Sequence, residues 1–475
     1  MKKLRQLLIV SPFIITAMFV VYLMMNSAPS ESLPLETRVL QTIQAGGCES
    51  CHTAEPVLPF YAKLPVAGDV VMKDVEQGYR AYDIAPLMEA LLGGEMPNPV
   101  DVAKVEKVAL DKRMPAAKYY LMHWGSQMTD AKRDIIMEAV AAYRPAYYAD
   151  GLVGERAAEP VRPIAKIEGL DENKVKLGFD LYHDLRLSVD NTVSCSSCHD
   201  LSTGGVDNHQ YSHGVNDQLG GVNAPTVYNA VYNFVQFWDG RAGTLAEQAA
   251  GPPLNPVEMG YTSFDEIVAK LSEDKELVAR FNEIYADGVT EANITNAIAE
   301  FERTLTTPDS QFDKWLRGDD AAISAEELRG YELFKEYNCT MCHMGANLGG
   351  ESYELMGLYR PYFEQRDMSL TEEDNGRFKQ TKLDRDRHRF KVPGLRNVEL
   401  TWPYYHDGTR HTLDEAVADM ALYQVDAELA ADEVSAIVAF LRTLTGEYQG
   451  KKLTTTNTYG VVISPDDDDH HHHDH

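Results

Sequence analysis

The chain has 475 residues, a formal net charge of −29 and 44% hydrophobic residues. This composition is typical of globular domains with apolar cores and excludes a largely disordered chain. The negative charge argues against nucleic acid as a partner, because phosphates repel an acidic surface. The length suffices for about three domains of ordinary size.

The amino terminus combines cationic and apolar residues. Lys2, Lys3 and Arg5 precede an uncharged, mostly apolar run over 7–25, which is close to the length that crosses a bilayer. The flanking cations place the start in the cytoplasm. We therefore expect an uncleaved inner-membrane anchor with the remaining domains in the periplasm. A cleaved signal peptide is the alternative, although its apolar region is usually shorter.

All six cysteines fall in three copies of the pattern C-x-x-C-H. The copies are the first motif (Cys48, Cys51, His52), the middle motif (Cys195, Cys198, His199) and the last motif (Cys339, Cys342, His343). A structural zinc site needs a second ligand pair, and a redox dithiol needs no following histidine. The pattern is the signature of c-type haem, in which the thiols form thioether links and the histidine binds iron. We predict three covalently bound haem c groups.

Helical patterns precede two of the motifs. The stretch "SAEELRGYELFKEYN" opens with Ser324 and Glu327 in capping-box spacing and leads into Cys339. Upstream, "DENKVKLGFDLYHD" repeats this arrangement, since Gly178-Phe-Asp-Leu-Tyr matches Gly330-Tyr-Glu-Leu-Phe. The repetition indicates an internal duplication of a small helical haem-binding unit.

Further patterns set the domain limits. Amphipathic stretches at 129–144 and 432–446 predict helices that close such units, and a segment at 144–165 rich in proline, glycine and charge predicts a boundary. The fold class is therefore mainly α, with three cytochrome c-like haem domains after an N-terminal transmembrane helix. The predicted divisions are an anchor (1–30), an N-terminal haem domain (31–150), a middle haem domain (151–320), a last haem domain (321–450) and an Asp/His-rich tail (451–475).

Three stretches carry a family resemblance: "NAPTVYNAVYNFVQFWDGRAGTLAEQAAGPPLNPVEM" (223–259), "TLTTPDSQFDKWLRGDD" (304–320) and "KVPGLRNVELTWPYYHDG" (391–408). From about residue 165 to 447 the chain resembles the bacterial dihaem cytochrome c peroxidases. With the predicted anchor and third haem it is similar to their three-haem branch, the quinol peroxidases. The amino-terminal part, with "MPAAKYYLMHW", resembles a small haem-binding domain whose iron is capped by methionine.

The resemblance implies a division of labour between two haems. The haem on His199 is expected to be peroxidatic, and the haem on His343 is expected to supply electrons to it. Met420 falls where the family places the distal ligand of the electron-supplying haem. A related branch that modifies tryptophans of another protein carries tyrosine there, and Tyr423 lies close to that position but not on it.

Three further residues match catalytic positions of the family. Glu258 matches the acid–base residue and Gln248 its hydrogen-bonding companion. A carboxylate near bound peroxide is suited to moving a proton between the two oxygens. Trp238 matches the aromatic residue between the two haems. Taken alone, Glu258 is typical of a solvated charge and Trp238 of a packed core.

The sequence departs from the family at one position. Many dihaem peroxidases close the middle iron with a distal histidine, and here Val215 stands at that position. Valine cannot bind iron, so we expect the site to be open at rest and to need no reductive activation. His213 is the alternative cap, and His209 is also near in sequence.

The resemblance also implies a calcium ion. Asn223, Thr401 and Pro403 match the family's protein ligands, the last two through backbone carbonyls, and waters complete an oxygen shell that suits calcium. Taken alone, Asn223 is equally typical of a turn before Ala-Pro.

For the first haem, His52 is the predicted proximal ligand and Met114 the predicted distal ligand. The Met-Pro dipeptide after a helical stretch is a common way of presenting sulfur to haem iron. Met96 precedes a proline in the same way, and His123 is a third option. A fully ligated first haem acts as an electron inlet.

The resulting hypothesis is an enzyme that reduces hydrogen peroxide to water at the middle haem. Electrons from membrane quinol or a periplasmic cytochrome c enter at the N-terminal haem and cross by the last haem and Trp238. The alternative is a three-haem electron-transfer protein without peroxidase activity. An oxidase of protein side chains is disfavoured by Met420. Whether the chain forms a homodimer is left open.

Overall fold

The computed structural model describes residues 2–148, 152 and 154–454. The Asp/His-rich tail from residue 455 onward therefore lies outside the described residues. The chain divides into two compact units, Met1–Glu159 and Pro160–His475, and each is described by itself.

The first unit is helical in its described part. Its α-helices are Lys2–Met25, Leu35–Gly46, Ala67–Ala81, Ala85–Gly93, Pro99–Asp111, Ala117–Tyr120 and Asp130–Tyr147. The helix predicted over 129–144 is confirmed as Asp130–Tyr147, and the hydroxyl of Thr129 accepts the Lys132 amide at its start. Its buried face, including Ile136 and Val140, packs in one core with Ile43 of Leu35–Gly46.

The first helix corrects one prediction. Crossing the hydrocarbon layer requires about 20 consecutive apolar residues in a helix, whereas Lys2–Met25 begins with a cationic segment. Among the residues that the structure describes, no helix combines the length and the apolar character that a membrane span requires. This finding overturns the prediction of an inner-membrane anchor that leaves the haem domains in the periplasm.

The second unit is also mainly helical. Its α-helices are Glu172–Tyr182, Cys195–Cys198, Leu245–Ala249, Gly251–Leu254, Phe264–Leu271, Lys275–Ile284, Glu291–Glu302, Gln311–Leu316, Ala325–Glu336, Tyr362–Gln365, Phe378–Thr381, Leu413–Val425 and Ala431–Arg442. Strand Tyr353–Leu355 pairs antiparallel with Arg389–Lys391, with Glu354 opposite Phe390. Glu447–Tyr448 and Lys451–Lys452 form a second short antiparallel pair.

Two pairs of packed helices reproduce the duplication seen in the sequence. The first helix pair is Glu172–Tyr182 with Glu291–Glu302, and the second helix pair is Ala325–Glu336 with Ala431–Arg442. A β-carbon at Gly178 would lie 1.9 Å from the Ala297 carbonyl oxygen, and one at Gly330 would lie 1.9 Å from that of Ala436. Glycine thus permits the same close approach in both pairs.

The capping box and the amphipathic stretch predicted for the second helix pair are also confirmed. The hydroxyl of Ser324 accepts the Glu327 amide, and the Glu327 carboxylate accepts the Ser324 amide, which is the predicted capping box. Helix Ala431–Arg442 lies within the amphipathic stretch predicted at 432–446, apart from its first residue. The mainly helical fold class is therefore confirmed, and the count of three haem domains stays a prediction.

A buried ion pair joins segments of the second unit that are distant in sequence. Arg396 and Asp313 are both fully buried and approach to 2.7 Å between Nη2 and Oδ1. Arg396 also donates to the Ala346 and Arg162 carbonyls and to the Ser310 hydroxyl. Since a buried charge is costly unless it is paired, this arginine fixes the segments around the last motif.

Candidate active site

Each C-x-x-C-H motif forms one tight turn that places its histidine beside the cysteines. The amides of His52, His199 and His343 donate to the carbonyls of the first cysteine in each motif, at 3.1, 3.0 and 3.0 Å. All six cysteines are half-buried. In the described residues no three or more His, Cys, Asp or Glu side chains cluster in a way that could hold a metal ion.

Two of the histidines have their second ring nitrogen fixed. Nδ1 of His52 lies 3.1 Å from the Tyr82 carbonyl oxygen, and Nδ1 of His343 lies 2.9 Å from that of Leu348. A carbonyl only accepts, so Nδ1 carries the proton and Nε2 is left to bind a metal. Burial lowers the pKa of both imidazoles, which keeps them neutral as iron ligation requires.

His199 is held differently. Burial lowers its pKa, and the nearby carbonyls of Gly205 and Pro225 oppose that effect, although Nδ1 makes no hydrogen bond of ordinary geometry. The His199 carbonyl accepts the hydroxyl of the fully buried Tyr182 at 2.6 Å. The middle motif is therefore anchored through its backbone to the first helix pair.

One large cavity in the second unit brings the predicted site residues together. Its volume is about 400 Å³. The middle and last motifs both line it. The other predicted residues on its wall are Trp238, Gln248, Glu258, Met420, Asn223, Thr401 and Pro403. Residues far apart in sequence thus line one cavity.

Glu258 lies in a tight turn on this wall. Its amide donates to the Asn255 carbonyl at 3.1 Å, and the Asn255 side-chain amide donates to its Oε1 at 2.6 Å. Burial raises the pKa of the carboxyl, and the charge of Arg241 partly offsets that rise. A carboxyl with a raised pKa and a fixed orientation is suited to accept and return a proton.

Gln248 and Trp238 are placed by the segment just before Glu258. Gln248 lies on helix Leu245–Ala249, which Thr244 caps. The indole Nε1 of Trp238 donates to the Asn223 carbonyl at 2.9 Å, and the Trp238 carbonyl accepts the Lys391 amide at 2.8 Å. One hydrogen bond therefore fixes the indole ring of Trp238, and the other fixes its backbone.

Met420 and Tyr423 have different surroundings in the structure. Both lie on helix Leu413–Val425, but Met420 lines the cavity whereas Tyr423 does not. Tyr423 is buried and its ring packs edge-on against Tyr362 at 5.2 Å. Met356 also lines the cavity, and its sulfur receives the Gln424 side-chain amide at 3.4 Å.

The residues at or near the expected distal-histidine position do not line the cavity. Val215 is 1% exposed, and its amide donates to the Glu258 carbonyl at 2.8 Å. The His213 side chain is half exposed, and its Nδ1 pairs with Asp217 at 2.5 Å. His209 is exposed. None of these three side chains lines the cavity.

The predicted calcium ligands lie on the same wall. Asn223 is buried, and its side-chain amide nitrogen donates to the His209 carbonyl at 2.9 Å. Thr401 and Pro403 line the same cavity, and their carbonyls together with the Asn223 side-chain oxygen are the atoms that the resemblance assigns to calcium. Such an all-oxygen set is of the kind calcium accepts.

The first motif has its own surroundings in the first unit. Met114 lies between helices Pro99–Asp111 and Ala117–Tyr120 and is 45% exposed, while Met96 is 51% exposed. The two ring nitrogens of His123 are already engaged, by the Tyr61 hydroxyl at 2.9 Å and the Tyr119 carbonyl at 3.0 Å. His123 is therefore the least available of the three predicted distal ligands.

Two charged residues of the cavity were missed from the sequence. Lys391 and Glu302 are each 5% exposed and line the cavity. Burial lowers the pKa of Lys391 to about 8 and raises that of Glu302 to about 8. Lys391 stands between the apolar residues Phe390 and Val392, which is a weak sequence signal, whereas Glu302 precedes Arg303 and carries no such signal. A buried ammonium without an acidic partner in the described residues fits an anionic cofactor, and haem carries carboxylates.

The residues present therefore fit haem. Paired thiols, a neutral histidine with a free Nε2 and a mostly apolar cavity are the requirements of haem attachment, and the second unit provides two such sets within one cavity. His52, His199 and His343 would bind iron, and the paired cysteines would carry the thioether links.

Comparisons with known proteins define the class. Residues 172–321 match the family model described as di-haem cytochrome c peroxidase, and residues 13–142 match a haem-binding domain. A crystal structure of a MauG-like protein associated with microbial copper homeostasis is similar over 62% of this chain and 95% of its own, with a TM-score of 0.52 and 27% identity.

Two curated relatives extend this result. The chain is 47% identical over 424 residues to cytochrome c peroxidase Ccp of Escherichia coli (strain K12), covering 89% of this chain and 90% of the relative. It is 47% identical over 300 residues to cytochrome c551 peroxidase of Nitrosomonas europaea, covering 62% and 87%. The chain belongs to the di-haem cytochrome c peroxidase family, and the prediction of a haem peroxidase is confirmed.

Proposed function

We propose that the chain reduces hydrogen peroxide to water at the haem held by the middle motif. The observation that supports this most is the cavity wall, where a half-buried Glu258 with a raised pKa and Gln248 lie on the same cavity as His199. Bound haem supplies a redox-active iron that accepts electrons and activates peroxide. A pure electron carrier has no use for a proton-transfer group beside an open iron.

The protein's own groups have separate tasks in this proposal. Glu258 takes the proton from the near oxygen of peroxide and delivers it to the far oxygen, so that water can leave. Asn255 holds the carboxyl by its hydrogen bond of 2.6 Å. Gln248 offers an amide that orients peroxide. Water is the product at both oxygens once two electrons and two protons have been supplied.

We propose that electrons arrive from outside through the first and last haems. His52 and Met114 hold the first haem, His343 and Met420 hold the last, and Trp238 lies on the route to the middle motif. The relatives named as cytochrome c peroxidases support a c-type cytochrome as donor, and the net charge of −29 suits a basic one. Quinol, the donor of the three-haem branch, is the alternative.

The middle site is proposed to be open without reductive activation. Val215 is packed against the Glu258 backbone and His213 pairs with Asp217, so the described loop directs no imidazole into the cavity. A calcium ion held by Asn223, Thr401 and Pro403 is proposed to stiffen this region, because Asn223 also receives the indole of Trp238.

The test is peroxide consumption by the holoprotein, with reduced cytochrome c and with a short-chain quinol as separate reductants. Glu258→Gln is expected to lower turnover by about 10²- to 10⁴-fold, the usual contribution of acid–base catalysis, with unchanged haem content. Glu273→Gln is the matched control, because Glu273 is an exposed glutamate.

Each outcome decides between the proposals. Unchanged turnover in Glu258→Gln would show that another group moves the proton. If the wild-type protein ignores peroxide while its haems reduce and reoxidise, electron transfer alone is its function. The reductant that supports turnover identifies the class of donor.

A further inference from the structure

The side chain of Glu302 is a buried carboxyl that the proposed reaction does not use. It ends helix Glu291–Glu302, is 5% exposed and lines the cavity. Its Oε2 is fully buried and has no hydrogen-bond partner in the described residues. An unsatisfied buried carboxyl costs free energy, so its presence on this wall calls for an explanation.

Among the described residues, no cationic side chain pairs with Glu302. Burial is the cause that raises its pKa to about 8. Of the ionisable groups facing it, Cys195 belongs to the middle motif, and its thiol becomes a neutral thioether when haem is attached. Tyr182, on the helix packed against it, gives its hydroxyl to the His199 carbonyl. Neither of these groups supplies a positive charge to Glu302.

The duplicated half of the unit provides an internal reference. Glu302 follows Phe301 in the first helix pair, and Leu441 follows Phe440 at the corresponding position of the second. Leu441 is 3% exposed and also lines the cavity. The fold therefore accepts an apolar side chain at this position, so the carboxyl is not a requirement of helix packing.

We propose that Glu302 is a positioning residue that sets a titratable negative charge beside the haem of the middle motif, while Leu441 leaves the haem of the last motif without one. An ionised carboxylate stabilises the more positive, oxidised state of nearby iron. The midpoint potential of the middle haem alone therefore falls as Glu302 ionises. The inference rests on the proposed haem sites and not on the peroxide chemistry.

The test is a spectroelectrochemical titration of the holoprotein between about pH 6 and about pH 9, a range that brackets the Glu302 pKa of about 8. In the wild type, one midpoint potential of the second unit is expected to fall with rising pH. Glu302→Gln and Glu302→Leu are both expected to remove this fall and to leave that potential higher at alkaline pH.

The reciprocal variant separates a local charge from a general effect. Leu441→Glu is expected to make the other potential fall with rising pH, and Leu441→Gln, its neutral control, is expected to leave it flat. The inference is overturned if the slope survives in Glu302→Gln, or if the Glu302 and Leu441 variants alter the same potential.

Two further readouts keep the result unambiguous. Haem content and far-UV circular dichroism show whether a variant is folded, and the two Glu302 variants decide the question even if Leu441→Glu does not fold. Absence of peroxide turnover in the wild type would contradict the proposed function without changing the pH slope of the potentials.

Discussion

The first and second helix pairs share one construction principle and differ where they reach the cavity. Gly178 against Ala297 and Gly330 against Ala436 give the same close approach. Four residues beyond each glycine stand Tyr182 and Phe334, which differ by one hydroxyl.

A second difference lies on the facing helices, where Glu302 corresponds to Leu441. Tyr182 and Glu302, the two polar residues, both belong to the first helix pair, which is the pair next to the middle motif. The duplicated frame is therefore kept by backbone proximity, and the functional difference between its copies is confined to a few side chains at the cavity.

The largest expected effect comes from breaking the shared frame. Gly178→Ala and Gly330→Ala are each expected to lower the free energy of unfolding by about 3 kcal/mol or more, because the new methyl group meets backbone that cannot move aside. Urea denaturation of the holoprotein, followed by haem absorbance and circular dichroism, measures this.

Gly93→Ala is the matched control for these variants. Gly93 ends helix Ala85–Gly93, and a β-carbon there would meet the Glu95 side chain at ordinary contact distances, 3.6 Å to Cγ and 3.9 Å to Cδ. It is expected to change stability by less than about 1 kcal/mol. A small effect at either tight glycine would show that the two pairs are not built alike.

The next effect concerns the pH dependence of stability. Glu302 has a pKa of about 8 in the folded protein against an ordinary value of 4.5. Between these values the folded protein binds a proton that the unfolded chain lacks, so stability falls as pH rises, by at most about 1.4 kcal/mol per pH unit. Glu302→Gln is expected to flatten this slope in urea denaturation across that range.

The exposed variant Glu273→Gln is expected to leave the same slope as the wild type. An unaltered slope in Glu302→Gln would instead assign the pH dependence to another buried group. Lys391 is distinguishable, because its pKa of about 8 lies below an ordinary value of 10.5, so its effect on stability has the opposite sign and lies at higher pH.

A smaller effect is expected from removing the Tyr182 hydroxyl, which Phe334 of the second helix pair lacks. Tyr182→Phe loses the 2.6 Å hydrogen bond to the His199 carbonyl and is expected to cost about 1 kcal/mol of stability. Phe334→Tyr is the reciprocal change, which buries a new hydroxyl and is expected to cost about as much or more. Equal stability of Tyr182→Phe and wild type would mean that the bond only orients the motif.

The smallest effect is expected at His213. Because its imidazole pairs with Asp217 and does not line the cavity, His213→Ala is expected to leave peroxide turnover within about twofold of the wild type. The electron paramagnetic resonance spectrum of the oxidised protein is expected to contain a high-spin haem in both. A spectrum with only low-spin haems in the wild type, gaining high-spin signal in the variant, would identify His213 as a distal cap.

Much of the local structure was predictable, because short-range rules govern it. Capping at Ser324 depends on residues three apart, and the helix over 129–144 follows from apolar spacing. The membrane anchor was predicted by the same kind of pattern and is wrong, because in the described part of the chain no helix is both long enough and apolar enough to cross a membrane.

The sequence by itself determined the three C-x-x-C-H motifs, the duplicated helices and, through resemblance, the set of candidate catalytic residues. Covalent chemistry fixes the spacing of cysteine and histidine, so these signals survive without a structure. Only the tertiary structure decided that two motifs share one cavity, that His213 pairs with Asp217 and does not line it, and that Glu302 and Leu441 both line it. Those facts depend on which helix faces meet across long separations in the chain, and side-chain burial there is set by packing rather than by neighbouring residues.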